Sequence, residues 1–239
     1  RSKPYTFIYL FPYMNPNETF IDLKPIQVTT PEDSMLSFSW LVEPDTKYAP
    51  HRWKTDIVIP NSPRAVEIGE QLDTFFLNFK KAIVAAYPDK ESKELKKIVK
   101  WNDLPYEWGP YLDKEGNKRQ GFPADDYLIL STNKKTHSPD GTKAKSAPMI
   151  FDSTSKTPLN DEEKKKYTQI GPGTTAQVAL YVSQYHLGVG TGIRLTPAAV
   201  NIKKFIPFGE QAKTADDFKF TVDAPQQGSG TPSTNDFDF

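Results

Sequence analysis

The sequence predicts a mainly β protein: a small, partly open barrel of five or six strands, with an α-helix inserted among them and a flexible acidic C-terminal tail. Three features lead there. Apolar and polar residues alternate with period two in several short runs, the pattern of half-buried strands. One long run between them has the helical period instead. Residues 223 to 235 lose the apolar pattern and are dominated by Pro, Gln, Gly, Ser and Thr, a composition that builds no packed core. The 239 residues suit one elaborated domain better than two. A chain of that length needs no covalent staples to bury a core.

Residues 1 to 33 are rich in proline and aromatic side chains and read as an N-terminal arm or an additional edge strand. The domain proper spans 34 to 222. It opens with Leu36, Phe38, Trp40 and Val42 on one face and Ser37, Ser39 and Leu41 on the other, a half-buried strand. After a turn over 43 to 50, Trp53, Thr55, Ile57 and Ile59 alternate with Arg52, Lys54, Asp56 and Val58, so the two strands form a hairpin. Asn61-Ser62-Pro63 supplies a capping side chain and then a proline for the first helical turn. Apolar residues at 68, 72, 75, 76, 79, 83, 86 and 87 make one stripe, which Pro88 ends. A shorter lysine-rich helix follows, with Leu95, Ile98 and Val99 on one side.

Residues 101 to 125 form a loop dense in aromatic residues. Two short strands, Tyr127 to Ser131 and Met149 to Asp152, then flank a polar loop bearing lysines, and 161 to 166 make one helical turn. In the next strand Ala176, Val178, Leu180 and Val182 oppose Gln177, Ala179, Tyr181, Ser183 and Tyr185. A glycine-rich turn, 188 to 192, leads into Ile193, Leu195, Val200 and Ile202, where Pro197 marks a bulge or an edge. Residues 223 to 239 are the tail.

Several kinds of chemistry are missing. With no cysteine there is no disulfide framework, thiolate metal site or cysteine nucleophile, which fits a reducing cytoplasm. His51, His137 and His186 are scattered, so no zinc site is expected. The glycines of 188 to 192 lack the lysine and hydroxyl of a phosphate loop and lead into a strand, not a helix. The pairs Asp125/Asp126, Asp216/Asp217 and Asp236/Asp238 sit in loops or the tail, not on the ordered elements a two-metal site needs. No serine has the glycine pattern of a nucleophile elbow. The expectation is a protein without enzymatic activity, metal or cofactor. No apolar run approaches the roughly 20 residues that span a bilayer, so no membrane partner is expected, and residues 1 to 5 lack the pattern of a secretory signal. Thirty basic and thirty acidic residues cancel. The tail holds three aspartates and no lysine or arginine, which leaves residues 1 to 222 with 30 basic against 27 acidic residues, a body at +3.

The chemistry that remains is that of single-strand binding, which takes a cationic groove for the backbone and aromatic faces for the bases. Arg52, Trp53 and Lys54 interleave charge and ring on one strand. Tyr181 and Tyr185 share the face opposite the aliphatic one, and His186 extends that row into the turn. Lys134, Lys135, Lys143 and Lys145 lie in the polar loop, and Arg194, Lys203 and Lys204 follow on the last strand. Each has a plainer reading: Trp53 lies on the Ile57 side and suits core packing, and loop lysines are ordinarily just solvated. Trp101, Tyr106 and Trp108 make either a stacking platform or a packed loop.

The run WKTDIVIPN (53 to 61) ahead of a long helix resembles the early strand-to-helix segment of the single-stranded DNA-binding proteins of tailed bacteriophages. DYLILSTNKKT (126 to 136) and APMIFDS (147 to 153) resemble their middle strand pair, and IGPGTTAQVALYVSQYHLGVGTGIRLTPAAVNI (170 to 202) is similar to their final hairpin. The ending NDFDF is similar to the tail shared with bacterial single-stranded DNA-binding proteins. The resemblance covers most of 34 to 239 in order and departs in the first 33 residues. It implies an OB-fold and sequence-independent coating of single-stranded DNA in phage replication and recombination, in the cytoplasm of an infected bacterial host. It also implies an aromatic at the position of Tyr185. Asp236, Phe237, Asp238 and Phe239 become a docking tail for replication proteins, DNA polymerase and helicase-primase, with a homodimer as a further option. The tail is less acidic than the most strongly acidic examples, a departure that bears on the strength of partner binding and on any tail-mediated dimer. The alternative is an OB module that binds RNA or recruits a protein.

Overall fold

The structure, a computed structural model, describes residues 23–209 apart from 89, 139–140 and 188–189. The tail residues Asp236, Phe237, Asp238 and Phe239, and the first 22 residues of the expected arm, therefore lie outside the described residues. Among the described residues eight strands form one sheet: β1 (Ile26–Thr29), β2 (Met35–Asp45), β3 (Arg52–Pro60), β4 (Tyr106–Gly109), β5 (Tyr127–Lys135), β6 (Met149–Asp152), β7 (Thr174–Leu187) and β8 (Gly190–Lys204). The order is β4-β5-β3-β2-β7-β8-β6, with β1 also paired to β7. The sheet curls so that β5 comes against β8. The strands beyond the expected six are β1, inside the expected arm, and β4, inside the aromatic loop.

β3 and β7 alternate as their sequences require. Trp53, Thr55, Ile57 and Ile59 are buried on one face of β3, and Ala176, Val178, Leu180 and Val182 on one face of β7. Helix α1 (Pro63–Ala86) closes the barrel. The Ser62 side chain accepts from the Ala65 amide, capping the helix, and Pro63 occupies its first turn. Its buried stripe, Ile68, Leu72, Phe75, Phe79 and Ile83, packs into the same core as Leu36, Ile57, Leu130, Val178 and Leu195. Burying each such side chain is worth about 1.5–3 kcal/mol relative to exposure. Two short helices follow, α2 (Ser92–Ile98) and α3 (Asp161–Lys164). No helix among the described residues is long and apolar enough to cross a membrane.

Three expectations are corrected. In β2 the pairing with β3 shifts register between Ser37 and Trp40, and Phe38 takes a positive φ of 49°. Two residues instead of one then separate inward-facing Leu36 from inward-facing Ser39, so Phe38 and Trp40 turn outwards while Ser39 and Leu41 are buried. β5 runs to Lys135, so Lys134 and Lys135 are strand residues and not part of the loop. β6 does not pair with β5; it lies parallel to β8, with Ile150 beside Val200.

A second, smaller cluster lies on the other side of the sheet. Tyr111 and Phe122, from the segment after β4, cover Val58, Tyr127 and Ile129. One end of the outer face of β3 and β5 is thereby dry. The other end is left to solvent.

Candidate nucleic-acid interface

The open end of that face is where polar side chains collect. Residues directly opposed across an antiparallel pair project from the same side, and the register opposes Arg52 to Lys135, Lys54 to Asn133 and Asp56 to Ser131. A groove of about 540 Å³ opens beside them, lined by Phe38, Tyr48, Arg52, Lys54 and Asn133 among others, with Asp45 and Asp56 as its carboxylates. Lys54 is ion-paired to Asp45 at 2.6 Å. That contact and the Lys47 amide hold the Asp45 carboxyl below its usual value. Asp56 accepts from the Tyr111 hydroxyl at 2.8 Å and from the Ser131 hydroxyl at 3.0 Å, so it is engaged inside the fold. Phe38 is 51% exposed and Trp40, opposite Lys54, is 44% exposed. The Arg119 guanidinium sits 4.5 Å from the Phe38 ring centroid, a cation–π contact.

The β7–β8 hairpin brings a second set. Tyr181, 48% exposed, is opposed to Thr196, Ser183 to Arg194 and Tyr185 to Gly192. Tyr181 and Tyr185 are four residues apart on one face, roughly 13 Å along the strand. Tyr185 is held in place. Its ring lies over Gly192, where any Cβ would come within 2.8 Å of the hydroxyl, so only glycine leaves room for this pose. The hydroxyl accepts from Asn102 Nδ2 at 2.9 Å, and the Arg194 guanidinium is 5.4 Å from the ring centroid.

The two sets meet through their charges. Partial burial lowers the pKa of the Lys135 ammonium, and repulsion from Arg194, Arg52 and Lys145 lowers it further. Lys134 is lowered by burial and then by Lys145. Such mutual repulsion requires the cations of β3, β5 and β8 to lie close together, as the contact between β5 and β8 allows. What converges is a wet surface bearing Arg52, Lys135, Lys145 and Arg194, flanked by Phe38 and Trp40 on one side and by Tyr181 and Tyr185 on the other. Phosphates and unstacked bases are what such a surface fits.

Other expected residues are not brought to it. Trp53 is 7% exposed and belongs to the inward face of β3; it has no face to offer a base. His186 does not extend the tyrosine row. Strand alternation turns it to the opposite side, where Nε2 meets the Tyr87 hydroxyl at 3.0 Å and Nδ1 the Thr191 hydroxyl at 2.6 Å. It ties the hairpin to the end of α1. Lys203 lies nine residues along β8 from Arg194, about 30 Å away, and is paired with Glu32 at 2.8 Å. Lys134 is opposed to Trp53 and so points to the other side of the strand from Arg52 and Lys135. Trp101 stands alongside β8, bridged to Thr191. Phe38, Trp40, Tyr48 and Arg119 escaped the sequence reading. Only Tyr48, a ring in a turn next to Lys47, carried a signal. Among the described residues no group of three or more His, Cys, Asp or Glu side chains is placed to hold a metal ion.

No protein-family model matches the sequence, and no curated protein matches it. Solved structures do match. The chain is similar to gp2.5, a single-stranded DNA binding protein encoded by bacteriophage T7, with a TM-score of 0.56 and 18% identity over 88% of this chain and 100% of that one. The single-stranded DNA-binding protein from bacteriophage Enc34 aligns over 80% of this chain and 89% of its own, with a TM-score of 0.47 and 14% identity. At this level of identity the T7 likeness establishes the fold: mainly β, OB-type, with an inserted helix, as the sequence predicts.

Proposed function

We propose that this chain coats single-stranded DNA without regard to sequence, on the surface formed by Arg52, Lys135, Lys145 and Arg194 with the rings of Phe38, Trp40, Tyr181 and Tyr185. The observation that carries this reading is the meeting of the two strand systems. The cations of β3, β5 and β8 crowd one another beside a tyrosine that is half-exposed. A ring without neighbouring cations would suit many partners; rings on both sides of a cationic centre suit a flexible polyanion whose bases are unpaired. Duplex DNA hides those faces. The shared fold supports the same reading, because the T7 protein is itself a single-stranded DNA binding protein.

Stacking gives affinity without base readout, about 1–3 kcal/mol per base. Phosphate neutralisation adds a salt-dependent term, with log affinity falling by about 0.7 per contacted phosphate for each tenfold rise in salt. The role belongs to phage replication and recombination. The tail residues Asp236, Phe237, Asp238 and Phe239 mimic phosphates and bases, compete for the same surface when it is empty, and dock on replication enzymes when DNA fills it.

The test is a fluorescence-anisotropy titration of single-stranded, double-stranded and matched RNA oligonucleotides at two salt concentrations. Single-stranded DNA should bind tightest, with little dependence on base composition and a clear loss at the higher salt. Equal affinity for duplex would overturn the proposal. Stronger binding of RNA would move the function to RNA.

A further inference from the structure

The strongest concentration of positive charge in the chain lies outside this surface. Residues 80 to 100 contain seven lysines against Asp89, Glu91 and Glu94, a net +4 in a chain that sums to zero. All seven lysines are exposed. Among the described residues only Lys90 of the seven enters an ion pair, with Glu94 at 3.9 Å. A charge run of this kind is ordinarily no more than a solvated helix face. Here its position makes the difference.

The segment leaving α2 pairs with Thr191 of β8, in the β7–β8 hairpin. The Thr191 amide donates to the Lys100 carbonyl at 2.7 Å, and the Asn102 amide donates to the Thr191 carbonyl at 2.9 Å. Asn102 then reaches across with its side chain to the Tyr185 hydroxyl. Between them stands Trp101, 40% exposed, its ring supported edge-on by Phe76 and Phe79 with centroids 5.4 and 5.7 Å away. The Lys80 ammonium lies 5.8 Å from the Trp101 centroid and 4.2 Å from that of Phe76. A braced, half-exposed indole beside the Lys80 ammonium, joined to Tyr185 by one hydrogen-bonded residue, repeats the elements of the main surface on the far side of the hairpin.

We propose that the bound single strand crosses the hairpin at Tyr185, stacks a base on Trp101 and continues along the lysines of α1 and α2, so that the binding site has two parts. This rests on the single-stranded DNA reading above. The main surface engages short oligonucleotides alone. The α2 side is reached only by longer ones.

The experiment measures affinity and its salt dependence for oligothymidylates graded from about 4 to about 20 nucleotides, a range that brackets the known site sizes of single OB folds. Two variants are compared with the unaltered full chain. One is Lys93→Ala/Lys96→Ala/Lys97→Ala, in which alanine keeps α2 helical and no packed side chain is disturbed. The other is Trp101→Ala. Short oligonucleotides should bind the lysine variant as they bind the original, while long ones should bind more weakly, with a salt slope shallower by about 2 for three lost phosphate contacts. Trp101→Ala should weaken long-oligonucleotide binding at least about fivefold, the lower end of one lost stack. A loss that is the same at every length, or no loss at any, overturns the two-part site and leaves the main surface standing. Failure of the unaltered protein to bind single strands at all overturns both.

Discussion

Replacing Asp45 by asparagine should strengthen DNA binding. Asp45 Oδ2 holds the Lys54 ammonium at 2.6 Å, and its other oxygen accepts from the Lys47 amide at 3.0 Å. Asp56, the other carboxylate in the groove, is occupied by Tyr111 and Ser131. Asp45 is thus the group a phosphate must displace to reach Lys54. The Asp45→Asn change removes the charge and keeps the shape, which frees one cation. One additional phosphate contact on a single strand steepens the salt slope by about 0.7. Carried down from 1 M, that is about fourfold tighter binding at 0.15 M salt and about eightfold at 0.05 M. The stability lost is small, because a partly exposed ion pair is worth about 0.2–1 kcal/mol, or less than about 4 °C in Tm for a domain of this size. pH supplies a control. The Asp45 carboxyl is held below its usual value chiefly by Lys54. A depressed carboxyl contributes stability that is present above its unfolded value and is lost as pH falls through the folded one. The advantage of the variant should therefore persist at neutral pH and disappear in that acid range, where the original residue becomes neutral too. Anisotropy titrations of a labelled single strand at four salt concentrations measure the slope directly. Weaker binding, or an unchanged slope, would mean that the Asp45–Lys54 pair shapes the groove for DNA instead of obstructing it.

Other perturbations separate the binding surface from the scaffold. Tyr181→Ala removes an exposed ring and should cost about 1–3 kcal/mol of binding with Tm nearly unchanged; full affinity would remove Tyr181 from the stacking row. His186→Phe should do the reverse: it strips partners from the Tyr87 and Thr191 hydroxyls and should cost about 1–3 kcal/mol of stability, seen as a lower Tm, with binding unchanged below the melting range. A large affinity loss at constant Tm would return His186 to the DNA side. Deleting residues 223 to 239 should tighten binding at low salt if the tail competes for the surface, and an unchanged affinity would refute that competition.

How much of this was legible depends on which local rule each segment obeys. β3, β7 and α1 follow a single period from end to end, with Ser62 and Pro63 marking the helix start, so their faces could be assigned residue by residue. β4 is four residues long and too short to show a period. β5 ends in Ser131, Thr132, Asn133, Lys134 and Lys135, a polar run that reads as loop; the strand continues there because each residue has a cross-strand partner in β3. At His186 the sequence reads as the start of a turn, but the strand is still paired there. Pairing continues through Leu187 opposite Gly190, so alternation still applies at 186 and turns the imidazole away from Tyr185.

The bulge in β2 is the most consequential miss, and it is also what builds one side of the candidate site. A regular strand keeping Leu36 inward would put Phe38 and Trp40 against the core and expose Leu41. Instead Phe38 holds a positive φ that side-chain-bearing residues avoid, at a cost of order 1–3 kcal/mol. Burial of Leu41 at 1% exposure and the Ser39–Thr55 hydroxyl contact at 2.6 Å hold the chain in that conformation. Compensation by the core explains how the strain persists but not why rings face the solvent, since a shorter β2 with small outward residues would satisfy the same core. Two large aromatic faces displayed beside Arg52 and Lys54 are costly to leave in water, and under the proposed function the bases and phosphates of a single strand recover that cost. The local strain and the binding surface are then one feature of β2, which an alternation rule applied to a regular strand reads with both rings on the wrong side.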